Sequence, residues 1–140
     1  MSAGDFLDSN VLVYAYQFND SHKQRVAQEL VRSAVAGKAL ISTQVLAEFT
    51  AILLHKFASP VSPDVMIGIL DKLSPIKVVS PDAGLVRRAV EAQSLYKLHF
   101  YDCMIVAAAE RAGCERIWSE DLNASQKYLG VTVTNPFAKS

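Results

Sequence analysis

Short apolar runs punctuate the chain at residues 5–8, 39–42, 76–80, 116–119 and 131–134. Each has the length of a buried strand, and longer segments of helical spacing separate them. Over residues 21–36, Val26, Leu30, Val31, Ala34 and Val35 recur at helical intervals until Gly37 stops the pattern. Residues 44–57 repeat it, with Val45, Phe49, Ile52 and Leu53 on one stripe and the ASPVSP stretch as punctuation. Further helices are expected over 64–73 and from Pro81 and Asp82 to about residue 96. Residues 101–112 are apolar almost all round, the mark of a buried helix. This alternation predicts an α/β fold with a parallel sheet covered by helices on both faces. No repeat, low-complexity run or long linker interrupts it, so residues 1–140 read as one domain.

Composition narrows the picture modestly. With 51% hydrophobic residues in 140, the chain can bury a proper core. Lys plus Arg equals Asp plus Glu at 14 each, so no global basic field draws in nucleic acid, and a polyanion has to be gripped locally. The start, MSAGDFLD, lacks a basic segment followed by an apolar run, and no stretch approaches the roughly 18 apolar residues of a spanning helix. A soluble, cytoplasmic protein without membrane contact is the expectation. Cys103 and Cys114, eleven residues apart on one helix or its end, would sit about 16 Å apart, beyond disulfide reach. Both read as reduced core thiols.

The chemistry concentrates in four acids at the seams between elements: Asp8 in FLDSN, Glu48 in LAEF, Asp102 in FYDCM and Asp121 in SEDLN. In an open parallel sheet, ligands collect beyond the carboxyl ends of the strands, near the point where strand order reverses. Asp8 ends the first run and Asp121 follows the fourth by two residues, so both belong to that edge. Asp102 opens the buried helix, and Glu48 lies one turn into the helix after ALIS. Two carboxylates about 4 Å apart repel by roughly 4 kcal/mol at an effective dielectric of about 20. A divalent cation turns that liability into a site, and an oxygen-only cluster suits magnesium, which keeps waters for a substrate's phosphate oxygens. Such a site can activate water and stabilise the leaving oxygen of an in-line displacement at phosphorus.

Each acid also has a plainer explanation. Asp8 can cap a short helix starting near Asn10, and Asp102 can cap the helix it opens. Glu48 can be a solvated edge residue, and Asp121 an ordinary turn acid. Joint placement is what favours a site. His22 and His55 lie on helices without a telling partner and read as surface or edge residues, while His99, three before Asp102, is either a structural hydrogen-bonder or a substrate contact. Ser9 and Ser119 flank the acids and can orient them, and neither has a nucleophile-elbow context. The Arg87–Arg88 doublet is explained by a solvated helix face, and no Gly-rich phosphate loop is present.

FLDSNVLVYA, LAEF, FYDCMIVAAA and SEDL, in that order, resemble the four motifs of PIN-domain ribonucleases, in the VapC-like toxin group of bacterial toxin–antitoxin systems. The ending GVTVTNPF resembles one branch of that group, and the resemblance spans essentially the whole chain. It implies a three-layer α/β/α sandwich around a mostly parallel sheet, an acidic pocket holding magnesium or manganese, and single-stranded or looped RNA as substrate. Carried over motif by motif, Asp8 and Asp102 would be the principal metal ligands, Glu48 would complete or water-bridge the site, and Asp121 would supply the fourth acid. Asn10 and Ser119 would be supporting polar groups. Proteins of this group are usually homodimers silenced by an antitoxin protein whose tail occupies the acidic pocket. Ser9 stands where threonine is common, Cys103 where alanine is usual, and Glu120 adds an acid that leaves the fourth carboxylate open.

Two other readings compete. An aspartyl phosphatase or phosphorylatable receiver needs an acid two positions after the first Asp, where this chain has Asn10, or a lysine after a late strand, where the next after SED is Lys127. Both fit poorly. A catalytically silent RNA- or protein-binding module on the same scaffold is the alternative from a different class, although such a module has no use for four mutually repelling acids.

Overall fold

In the computed structural model, which describes residues 4–17, 19–123 and 126–138, the apolar runs become the strands of one sheet. The strands are β1 (Asp5–Leu7), β2 (Ala39–Ser42), β3 (Lys77–Val79), β4 (Arg116–Trp118), β5 (Lys127–Tyr128) and β6 (Val131–Thr134). The helices are α1 (Ser9–Ala15), α2 (Ser21–Val35), α3 (Thr43–His55), α4 (Pro63–Leu73), α5 (Ala83–Tyr96) and α6 (Phe100–Arg111). The sheet order is β3-β2-β1-β4-β6-β5. All neighbours pair in parallel except β5, which runs antiparallel to β6.

Short polar residues immediately before the helices set their starts. Asp20, Ser42, Ser62 and Asp82 each accept a backbone N–H of the first turn that would otherwise have no partner. At the other end of α2, Gly37 adopts φ +89°, a left-handed conformation that a glycine takes without steric cost. The helix ends there, as its sequence position predicts.

Packing divides the helices into two sets. α1 packs on α2 and α3, and α3 on α4, whereas α5 and α6 pair with each other. Because parallel crossovers are right-handed, and the chain moves one way through β1, β2 and β3 before crossing back to β4, the two sets cover opposite faces. Phe6, Leu7, Leu40, Ile41 and Ile117 fill the centre of the sheet with at most 1% exposure. In α6 every residue from Cys103 to Ala109 is buried, as expected for a helix apolar on all sides. Cys103 and Cys114 are free, buried thiols.

The pattern of apolar runs does not foretell β5. Tyr128 pairs with Val131 across a two-residue turn in which Leu129 and Gly130 have φ +51° and +79°. Two successive left-handed residues match a type I′ hairpin. A leucine at its first position is a poor signal for one. Its backbone N–H donates to Tyr96 Oη at 2.9 Å, and its side chain packs on the core, so tertiary contacts hold the conformation. A second difference concerns Arg88, which does not simply face solvent. It makes a two-pronged pair with Glu110 of α6 at 2.8 Å on each arm, tying α5 to α6.

Candidate metal centre

The strand order reverses between β1 and β4, because β2 and β3 lie to one side of β1 while β6 and β5 lie beyond β4. The chain leaving β1 and the chain leaving β4 therefore diverge at this point and open a crevice. Asp8 N–H donates to Trp118 O at 3.0 Å, which locks the two exits together.

Asp8 is 5% exposed. It caps α1, accepting Ser9 N–H on Oδ1 at 2.7 Å, and its Oδ2 accepts the Ser119 hydroxyl at 2.7 Å. The capping role and the site role are thus played by one carboxylate. Burial raises its pKa from 3.8 to about 6 against the lowering effect of these two hydrogen bonds, and the negative charges of Glu48 and Asp121 add to the rise.

Glu48 projects from α3 and is half-buried. Burial raises its pKa, the Gln44 and Ser9 side chains lower it, and the charges of Asp102 and Asp121 raise it further. Asp102 is in the first turn of α6 but does not cap it. That place belongs to His99, whose Nδ1 accepts Tyr101 N–H at 3.3 Å. His99 thus makes a structural hydrogen bond. Burial raises the pKa of Asp102, the charge of His99 lowers it, and the charge of Asp121 raises it further.

Asp121 is exposed at the turn after β4. Asn10 Nδ2 donates to its Oδ2 at 3.1 Å, and its own N–H donates to Ser119 Oγ at 3.2 Å. Its charge acts on each of Asp8, Glu48 and Asp102. The four acids, spread over more than a hundred residues of sequence, share one field at the switch point. Glu120 does not join it. Its Oε1 accepts Tyr14 Oη at 2.6 Å and its Oε2 pairs with Lys23 Nζ at 2.5 Å. Burial raises the Glu120 pKa, but these bonds outweigh it and hold the carboxyl below its ordinary value.

Three residues around the acids are not among the candidates that the sequence singles out, although Tyr14 lies within FLDSNVLVYA. Gln44 stands one turn before Glu48, stabilises its charge, and donates to Tyr101 O at 3.1 Å, so it ties α3 to the start of α6. The i, i+4 spacing from Glu48 is a sequence cue that could have singled it out. Lys23 and Tyr14 are partners of Glu120 through the fold alone.

Among the described residues, Asp8, Glu48, Asp102 and Asp121 form no ion pair with Lys or Arg. Nor do any three His, Cys, Asp or Glu side chains there make a ready-formed cation cage. The donor set is oxygen only and has no Lys or Arg ion pair among the described residues, which fits a hard divalent cation in kind. Magnesium is usually held by only one or two carboxylates and keeps its waters for substrate phosphates. No described helix is long and apolar enough to cross a membrane.

The PIN domain family model matches residues 6–128. No curated protein sequence matches the chain. Among solved structures, the chain is similar to VapBC2 from Rickettsia felis bound to a DNA fragment from its promoter, at 16% identity and a TM-score of 0.66, over 94% of this chain and 97% of that one. It is also similar to VapC20 of Mycobacterium tuberculosis, a toxin that cleaves the sarcin-ricin loop, at 19% identity and a TM-score of 0.64, over 84% of this chain and 92% of that one. At these identities the likeness is one of fold.

Proposed function

The chain belongs to the PIN-domain family, and from that premise we propose that it is a magnesium- or manganese-dependent endoribonuclease, the toxin of a toxin–antitoxin pair acting in the cytoplasm. The observation that carries this reading is the meeting of four unpaired acids at the switch point of the sheet. In this reading Asp8 and Asp102 are the principal ligands, and Glu48 and Asp121 complete the acidic pocket. One domain, residues 1–140, carries the activity.

When bound, the cation neutralises phosphate oxygens and makes water a better nucleophile at neutral pH. The chain's own groups do the rest. Ser9 N–H and the Ser119 hydroxyl fix both Asp8 oxygens, so its carboxylate is a rigid point from which the site is built. Asn10 holds Asp121 across the crevice. Glu48 and Asp102, half-buried and with raised pKa values, are disposed to accept a proton at their carboxylate oxygens. With no net positive charge on the chain, RNA has to be gripped locally at the crevice, where a bound cation would offset the acids.

The negative charge also describes the partner that would silence the protein. An antitoxin segment presenting a guanidinium to the four carboxylates would offset their charge, and the likeness to VapBC2 supports an antitoxin partner. A homodimer belongs to the same reading. Cleavage of a stem-loop RNA by purified protein, with magnesium and with EDTA, tests it. Cleavage should stop with EDTA and in Asp8→Asn and Asp102→Asn while the fold survives. Full magnesium-dependent activity in either variant overturns the site assignment, and no cleavage by the wild type favours a catalytically silent RNA- or protein-binding module.

A further inference from the structure

The residue before Asp121 is held more firmly than Asp121 itself. Both Glu120 carboxylate oxygens are taken, one by Tyr14 Oη at 2.6 Å and one by Lys23 Nζ at 2.5 Å, and Lys23 Nζ also lies 3.2 Å from Tyr14 Oη. The ammonium sits 4.6 Å from the Tyr14 ring centroid and 5.8 Å from that of Phe137, and those two rings meet edge to face at 4.9 Å. Lys23 and Glu120 side chains are only 27% and 26% exposed, so the pair is partly withdrawn from water. Lys23 is itself fixed, because its N–H donates to the Asp20 cap of α2 at 3.0 Å.

The same turn is stitched on its other side. Asn10 Oδ1 accepts Glu120 N–H at 3.2 Å while its Nδ2 reaches Asp121 Oδ2 at 3.1 Å. Asn10 and Tyr14 are four apart on α1 and so lie on one face of it. Two helices thus grip two consecutive residues, and the exposed Asp121 carboxylate depends on that grip for its place beside Asp8, Glu48 and Asp102.

We propose that Lys23 is a positioning residue for Asp121, acting through Glu120, and that Glu120 is a brace and not a fourth ligand. The inference rests on Asp121 belonging to the cation site proposed above. A purely structural ion pair and a positioning brace differ in the sign of one effect. Removing a positive charge near four acids strengthens cation binding by Coulomb attraction alone. Loosening the brace weakens it, because Asp121 no longer stands where the cation needs it.

The test uses Mn2+ alone as probe, titrated against the full chain and followed by the EPR signal of free ion, with amide exchange of residues 120–122 measured in metal-free protein. Lys23→Met should weaken Mn2+ binding by about tenfold, speed exchange of those amides by about tenfold, and be rescued by Lys23→Arg. Glu120→Gln should speed the same amide exchange, and the double variant should exchange no faster than either single one; exchange is the readout for Glu120→Gln, because losing a negative charge weakens cation binding by itself. If Lys23→Met fails to fold, Tyr14→Phe, which keeps the ring and removes one hydroxyl, should give a smaller loss of the same kind. Tighter or unchanged Mn2+ binding with unchanged exchange overturns the brace. Failure of the wild type to bind Mn2+ overturns the cation site, and the positioning role with it, whatever the exchange data show.

Discussion

Replacing Asp8 with asparagine should stabilise the cation-free protein at pH 7.5. Burial lifts the Asp8 pKa from 3.8 to about 6. The unfolded chain releases this proton near 3.8 and the folded chain near 6, so between those values the folded state binds more protons and stability falls as pH rises. The cost is absent below about pH 4 and complete above about pH 6, where it amounts to about 3 kcal/mol. The amide variant never carries that cost. Against that gain, an amide offers one acceptor where the carboxylate offers two, for Ser9 N–H and the Ser119 hydroxyl, both at 2.7 Å. Ser119 Oγ already faces Asn10 Nδ2, Asp121 N–H and Leu122 N–H at 3.2 to 3.4 Å, so it has little room to accept a further donor. One compromised buried bond costs about 1 to 2 kcal/mol. The net expectation is a variant more stable by about 1 to 2 kcal/mol at pH 7.5, with an advantage over the wild type that grows by about 3 kcal/mol from pH 4 upward. Urea unfolding in EDTA, followed by the single tryptophan, Trp118, measures both quantities. A variant less stable at pH 7.5, or a difference that does not change between pH 4 and pH 7.5, refutes the reasoning. Adding Mn2+ should reverse the order, since a ligand at 100 times its Kd adds about 2.7 kcal/mol to the protein that binds it.

Ser119→Ala removes the donor to Asp8 and the acceptor that stitches the turn to Asp121, and should destabilise the protein by about 1 to 3 kcal/mol in urea while weakening Mn2+ binding by about tenfold. Arg88→Ala should cost at most about 1 kcal/mol, less in high salt, because the side chain is 39% exposed despite its two-pronged contact with Glu110; unfolding curves at low and high salt check this. Gln44→Ala should raise the Glu48 pKa further and shift the pH dependence of magnesium-driven RNA cleavage to higher pH, leaving the rate at pH 8.5 nearly unchanged.

Much of this molecule is legible in its sequence because its main signals are local. A run such as ALIS, bounded by the Gly37 stop and the Ser42 cap, declares a strand between two helices without outside help. The buried helix α6 shows itself by apolar residues on every side. The convergence of the acids follows from the alternation itself, once parallel strands are assumed and their carboxyl ends share an edge. What escapes has its cause in tertiary contact. β5 is two residues long, and Tyr96 and the core stabilise its hairpin with no glycine or asparagine at the first turn position. The fate of Glu120 depends on Lys23, 97 residues away, and on Tyr14, so adjacency to Asp121 says nothing about its role. Capping of α6 falls to His99 and not to Asp102, which leaves the Asp102 carboxylate uncommitted to the helix end.

Calorimetric titration of Mn2+ into the wild type, Asp8→Asn and Asp102→Asn, at pH 5.5 and pH 7.5, tests most directly whether the four acids make a cation site. The wild type should bind more tightly at pH 7.5, where Asp8 has lost the proton it holds to about pH 6, and both variants should lose binding. Absence of binding by the wild type at millimolar Mn2+, or equal binding by all three proteins, would contradict it.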